Sequence, residues 1–169
     1  MKQRLPTTIT AKIESTLKDG SNQMKILIAN DHGAVDLKFR IVKHLESKGF
    51  QCENIGVDTG DSVDYPDMAE KACSQYLSGD YDTGILCCGT GIGISISANK
   101  IDGIRCALPQ DCFAASMARM HNNANFIAFG GRIEYGDTIE DMLDSFFDNE
   151  FEGGRHQNRV NKIMALEDK

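Results

Sequence analysis

The sequence predicts an α/β fold in three layers, a five-stranded parallel sheet with helices on both faces. Two observations predict it. Short apolar runs alternate five times with segments of helical periodicity, each pair closed by glycine or polar turn residues. The third run leads directly into a turn with glycine at three of five positions, Gly89, Gly91 and Gly93, and then into a helix-like segment ending near Lys100. Strand, glycine turn and helix together are a form that presents free backbone N–H groups to an anion.

Taken in order, residues 1–23 stand apart as a polar extension. A helix is expected there from Thr10 to Lys18, with Ile13 and Leu17 on one face and a terminator at Asp19-Gly20-Ser21-Asn22. The domain proper is expected over 24–169. KILIAN at 25–30 reads as the first strand, and Asp36 to Lys48 as an amphipathic helix with Leu37, Ile41 and Leu45 four apart, closed by Gly49. Gln51 to Val57 is a second strand, followed by the polar loop DTGDSVDYPD and a helix from Pro66 to Leu77. Strand three is expected at 83–88 with its helix at 93–98, strand four at 103–107 with its helix at 110–119, and strand five at 125–129 with its helix at 138–147. After a Gly-Gly turn, Val160, Ile163 and Leu166 mark the apolar face of a last helix. Right-handed crossovers then gather the loops after the strands along one sheet edge.

Bulk composition narrows the function classes. At 169 residues the chain is sized for one domain. A formal net charge of −7 with only 18 basic residues argues against nucleic acid or an anionic membrane as the main partner, but leaves room for a small phosphorylated ligand. With no secretory h-region and no apolar run approaching the roughly 18 residues of a membrane span, the protein is expected to be soluble and cytoplasmic. Its six cysteines are then expected to be free thiols. Cys87 and Cys88 are adjacent and lack zinc-type spacing, so no metal is expected.

Chemistry concentrates in the loops. Strand alternation sends Cys87 and Cys88 to opposite faces, and Cys88, at the strand-to-turn junction, is the better placed to reach a ligand. Backbone N–H groups beyond it would favour its thiolate, which could take a proton from carbon next to a carbonyl or act as a nucleophile. Thr90 could move protons on substrate oxygens, and the Gly91–Gly93 backbone could hold a developing enediolate. The bland alternative is a tight turn flanked by two core thiols. After strand one, Asp31 and His32 stand where a parallel strand presents ligand contacts, although a helix-capping Asp beside a solvated His would look the same. The loop lacks G-x-G-x-x-G, and Gly89–Gly93 lacks the Lys-Ser/Thr of a Walker A loop, so a nucleotide fold is poorly supported. His121 sits in the polar segment RMHNNAN, Arg132 follows Gly130-Gly131, and Arg155 and Arg159 are four apart with His156 beside the first. The bland reading is a pair of solvated arginines, but like charges at that spacing repel unless an anion lies between them, and a phosphate would suit the pair.

These blocks resemble the family that unites ribose-5-phosphate isomerase B with the galactose-6-phosphate isomerase subunits. The resemblance is carried by NDHGA with downstream LK (30–38), DYP (64–66), ILCCGTGIGISISANK (85–100), GIRCAL (103–108), RMHNNANFIAFGGR (119–132) and EGGRHQNRV (152–160). It implies a Rossmann-like or flavodoxin-like protein, pairing as a homodimer with active sites shared between subunits, and interconverting aldose and ketose phosphates with no metal or organic cofactor. It further implies Cys88 as the proton-abstracting group with Thr90 as its partner, and the Gly89, Gly91, Ile92 and Gly93 loop as the oxyanion holder. His121 would open the sugar ring with Asp31, beside a ligand-contacting Asn122. His32, Arg132, Arg155 and Arg159 would bind phosphate, and Tyr65 would line the sugar pocket. EGGRHQNRV is similar to the ribose-5-phosphate isomerase branch, which makes D-ribose 5-phosphate the expected substrate. A six-carbon aldose phosphate, such as allose 6-phosphate or galactose 6-phosphate, and a non-catalytic sugar-phosphate-binding module are the alternatives. Pairing of dimers into tetramers stays open. His32-Gly33-Ala34 stands where the family more usually has His-Ala-Gly.

Overall fold

The computed structural model describes residues 23–168. The helix expected within 10–18 lies outside them. Five strands, β1 (Lys25–Asn30), β2 (Gln51–Asn54), β3 (Thr83–Cys88), β4 (Cys106–Ala107) and β5 (Phe126–Gly130), form one sheet in the order β2-β1-β3-β5-β4. Every strand pair is parallel, as the strand–helix alternation predicts. The helices are α1 (Val35–Ser47), α2 (Tyr65–Gln75), α3 (Ile92–Ala98), α4 (Cys112–Met120), α5 (Ile139–Phe147) and α6 (Arg155–Met164). None of the described helices is long and apolar enough to cross a membrane.

Period-two alternation in the strands builds two separate cores. Ile26, Ile28, Ile85, Cys87, Ile127 and Phe129 face Leu37, Ile41 and Leu45 of α1 and Met142, Leu143 and Phe146 of α5. Leu27, Ala29, Leu86, Cys88, Phe126 and Ala128 face Met68, Ala69, Ala72 and Cys73 of α2 and Ile94 and Ala98 of α3. The adjacent thiols therefore lie on opposite faces, as alternation requires. The fully buried Ile26, Leu27, Ile28, Ile85 and Leu86 of β1 and β3 each contribute about 1.5–3 kcal/mol of transfer free energy to these cores.

Three elements differ from expectation. Strand two was expected to reach Val57 but ends at Asn54, whose Oδ1 accepts the Gly56 N–H at 3.0 Å and turns the chain out of the sheet. Strand four shrinks from 103–107 to two residues. Gly103 is left-handed (φ 85°), and the Arg105 carbonyl accepts from both Asn125 (3.1 Å) and Phe126 (3.2 Å), so regular pairing starts only at Cys106. In the last helix, only Val160 of the expected apolar face is buried. Ile163 is 41% exposed, and Leu166, at 60%, lies beyond the helix end. The other helices agree with expectation to within about two residues.

Strand order reverses between β1 and β3, which leaves a crevice at their carboxyl ends. Inside the sheet, Gly84 lets β3 and β5 close up, because a Cβ there would stand 2.0 Å from the Phe126 ring. Gly84→Ala should therefore destabilise the protein by about 1–3 kcal/mol through overpacking, read as a lower urea midpoint at unchanged slope. A midpoint equal to the parent's would show that the ring is not confined as described.

Candidate active site

At the carboxyl edge, backbone bonds weld the ends of β1, β3 and β5. Asp31 N donates to the Cys87 carbonyl (3.0 Å), Gly131 N to the Cys88 carbonyl (2.9 Å) and Arg132 N to the Gly89 carbonyl (2.9 Å). The approach needs glycine. A Cβ on Gly131 would meet the Gly33 carbonyl oxygen at 2.6 Å, and one on Gly33 would meet the Gly89 nitrogen at 2.9 Å.

Cys88 sits in this weld with only 3% of its surface exposed, and its Sγ accepts the Gly91 N–H at 3.1 Å. The sulfur thus lies within hydrogen-bond reach of a backbone donor at the start of the turn. Gly91 is left-handed (φ 76°), the conformation that turns its N–H back towards the strand end. Thr90 is exposed, and its Oγ1 accepts from Ile92 N at 3.3 Å. Cys87, on the other face, is completely buried. Burial, then the neighbouring Cys88 and Asp31, push its thiol well above the ordinary range, so it is unsuited to proton transfer at neutral pH.

Around the turn stand four more of the residues singled out from sequence. Asp31 is buried, and its Oδ1 accepts Gly33 N at 2.8 Å, so it caps the single turn at His32–Ala34. His32 Nδ1 accepts Val63 N at 3.3 Å, which ties the loop before α2 to the crevice. Tyr65, at the start of that helix and 41% exposed, lays its ring against Gly93, where a Cβ would be 2.5 Å from the ring. The Arg132 guanidinium lies over Gly89, its Nη1 3.6 Å from where a Cβ would be.

One support was missed from sequence. Lys38 is fully buried; its Nζ donates to the Val57 carbonyl (2.7 Å) and pairs with Asp58. Bonds from Lys38 and then Asn54 hold the Asp58 carboxyl below its usual range. The Asn30 Nδ2 reaches the same Val57 carbonyl at 3.1 Å. These contacts fix the loop that delivers Val63 and Tyr65. The signal was legible, since Lys38 occupies the apolar stripe of α1, three residues before Ile41.

The remaining candidates gather elsewhere. The helix α4 runs back from the carboxyl edge, so His121 and Asn122 emerge at the amino edge, before β5. Five residues of β5 at about 3.3 Å each put roughly 16 Å between the two edges. Glu152 N donates to the Met120 carbonyl (3.0 Å), which seats the start of α6 against this end. His156 stacks on His121, centroids 3.9 Å apart and planes within 10°. Glu152 Oε2 stands 3.7 Å from His121 Nε2 and 3.4 Å from His156 Nε2. Burial, then His121 and Arg155, lower the His156 pKa from the ordinary imidazole value. Arg155 and Arg159 are exposed on α6, and Arg155 Nε donates to His156 Nε2 at 3.3 Å. Asn122 lines a cleft of about 720 Å³ with Lys100, Arg105, Ile163 and Leu166. Of the fourteen residues predicted from sequence, one chain thus unites Asp31, His32, Tyr65, Cys88–Gly93 and Arg132 at one edge, and His121, Asn122, Arg155 and Arg159 at the other. Glu152 was not anticipated; only its place four residues before His156 hinted at a shared surface.

Fold and site define an α/β protein with a thiol under an N–H-rich glycine turn at the switch point of a parallel sheet. The model of the Ribose/Galactose Isomerase family matches residues 26–163. Ribose-5-phosphate isomerase B of Escherichia coli is 39% identical over 143 residues, covering 85% of this chain and 96% of that protein. D-erythrulose-4-phosphate isomerase of Pectobacterium atrosepticum is 40% identical over 145 residues, covering 85% and 95%. Among solved structures, that of Clostridium thermocellum ribose-5-phosphate isomerase B superposes with a TM-score of 0.82 at 44% identity, over 86% of this chain and 98% of that one. The chain belongs to the ribose/galactose isomerase family, as its motifs predict.

Proposed function

We propose that this protein is a sugar phosphate isomerase that interconverts D-ribose 5-phosphate and D-ribulose 5-phosphate through a cis-enediolate. The observation that carries the reading is the Gly91 N–H on the Cys88 sulfur, 3.1 Å away, in a turn that also holds Thr90. A sulfur so placed is a base for a carbon acid, and N–H groups beside it suit the oxygen that becomes negative. His121 and Asp31 assist opening of the furanose. Cys88 then takes the C2 proton, the Gly89–Gly93 turn holds the enediolate, and the same proton returns at C1. Thr90 moves a proton between O2 and O1, so that no net proton is gained or lost. His32, Arg132, Arg155 and Arg159 bind phosphate, while Tyr65 and Asn122 contact the sugar.

This scheme draws on both sheet edges, which a single chain holds apart. We therefore infer a homodimer in which the amino edge of one subunit, carrying His121, Asn122, Arg155 and Arg159, covers the thiol edge of its partner. Residues 24–169 form the isomerase domain in this reading, and residues 1–23 are an extension of it in sequence.

A second substrate reading is favoured by the Pectobacterium relative, whose name specifies a four-carbon sugar phosphate at 40% identity. The same groups would serve there, as they would for a six-carbon aldose phosphate.

Cys88→Ala should abolish isomerisation of ribose 5-phosphate in a coupled assay and deuterium exchange at C2, while Cys87→Ala should retain most activity. Full activity in Cys88→Ala would refute the thiol mechanism. Absence of C2 exchange in the unmodified protein, with sugar phosphate bound, would favour a binding module. Turnover of four-, five- and six-carbon aldose phosphates, compared by kcat/KM, should be highest with ribose 5-phosphate. Mixing inactive Cys88→Ala and His121→Asn proteins, with subunit exchange, should restore about a quarter of wild-type activity if chains assort randomly in a shared-site dimer. Activity that stays at zero after proven exchange would place both residues in one chain's site.

A further inference from the structure

Beside the thiol edge, a tyrosine that takes no part in the scheme above fills a gap in the sheet. In a parallel strand, successive N–H groups face opposite neighbours. Phe126 N of β5 donates to the Arg105 carbonyl on the β4 side (3.2 Å), and Gly131 N, just past the strand, donates to the Cys88 carbonyl on the β3 side (2.9 Å). Gly130 N, four residues after Phe126, therefore faces β4. That strand ends at Ala107, opposite Ile127, too early to reach it. Gly130 is nevertheless buried, and a buried N–H without a partner is costly. The Tyr135 hydroxyl takes the missing place and accepts the Gly130 N–H at 2.9 Å. Its half-buried ring stands edge-on to Phe129, centroids 6.3 Å apart and planes at 79°. Two residues on, the Asp137 carboxylate accepts the Cys112 N–H at 2.8 Å and ties the same loop to the start of α4. Burial raises the Tyr135 pKa above the ordinary phenol value, so the oxygen is a neutral hydroxyl at neutral pH.

Gly130 in turn backs the Thr90–Gly91 turn. A Cβ on Gly130 would stand 2.6 Å from the Thr90 carbonyl carbon, and one on Gly91 would stand 3.1 Å from the Gly130 nitrogen. The turn is thus seated between the Cys88 sulfur, which takes the Gly91 N–H, and Gly130, whose own N–H is tied to Tyr135. We propose that Tyr135 is a positioning residue for the isomerase reaction: its hydroxyl holds Gly130 and, through that backbone, sets Thr90 and Gly91 against the Cys88 thiol. The consequence for catalysis rests on the isomerase reading; the hold on Gly130 does not. Without the hydroxyl, the buried N–H turns to another acceptor and the turn shifts by a fraction of an ångström. A misplacement of about 1 Å can cost on the order of 100-fold in rate, so a loss of about tenfold in kcat is expected. Arg132 keeps its own backbone bond to the Gly89 carbonyl (2.9 Å), so substrate binding changes little.

Tyr135→Phe keeps the ring beside Phe129 and removes only the hydroxyl. In the full-length protein carrying it, amide hydrogen exchange at Gly130, followed by NMR, should accelerate about tenfold or more, with Gly131 nearly unchanged. The kcat for ribose 5-phosphate, expressed per folded chain with the folded fraction taken from the urea curve, should fall about tenfold while KM stays within about twofold. A merely structural role would lower the urea midpoint and leave kcat per folded chain as it was. In the unmodified protein the Gly130 amide should be protected to within about tenfold of Gly131. Free exchange there would overturn the proposal even if Tyr135→Phe did not fold. Unchanged Gly130 exchange in Tyr135→Phe would overturn the hydrogen-bond role. Faster exchange with kcat per folded chain unchanged, or an effect confined to KM, would overturn the positioning role. If the unmodified protein isomerised no sugar phosphate, the functional reading would fail while exchange at Gly130 still decided what the hydroxyl holds.

Discussion

The weld of backbone to backbone at the carboxyl ends of β1, β3 and β5 is the constraint on which the rest depends. Three loops meet there through N–H to carbonyl bonds, at separations that admit no side chain on Gly33, Gly130 or Gly131. The Cβ missing from Gly130 would otherwise stand 2.6 Å from the Thr90 backbone. Closing the loops in this way satisfies buried polar groups and leaves the Gly91 N–H free to turn onto sulfur. Placement of the Cys88 thiol and backbone satisfaction are thus one arrangement, which explains why glycines cluster around it.

Around the weld, polar struts do what the strands cannot. Strand β2 is short and the 55–64 loop has no sheet to lie in, so Lys38, Asn30 and the Val63 bond to His32 hold it. A buried lysine would be costly if unpaired, and here a carbonyl and a carboxylate share its protons. At the opposite edge, a stacked histidine pair and one carboxylate fix His121 to the start of α6. Neither edge by itself carries all of the residues that the family motifs single out.

Much of this was legible in the chain. Five apolar runs in alternation with amphipathic helices specify a parallel sheet, since each run is followed by a crossover long enough to be a helix. Alternation alone separated Cys87 from Cys88, and the family motifs named the surrounding residues. Less was legible where local and distant contacts compete. Strand four could not be bounded because Gly103 and the Arg105–Asn125 contacts, twenty residues apart, decide where pairing begins. The last helix carries a periodic apolar face that periodicity alone marks as buried, but of Val160, Ile163 and Leu166 only Val160 is buried.

The sequence by itself determined the layered parallel fold, the thiol beneath a glycine turn and the identity of the groups beside it. These are local matters, set by side-chain period and by the conformations that glycine allows. Only the tertiary structure decided that the groups fall on two opposite edges, that Lys38 is a strut and that Glu152 meets two histidines. The direction in which α4 returns and the seating of α6 against its end produce those results, and both are contacts between segments far apart in the chain.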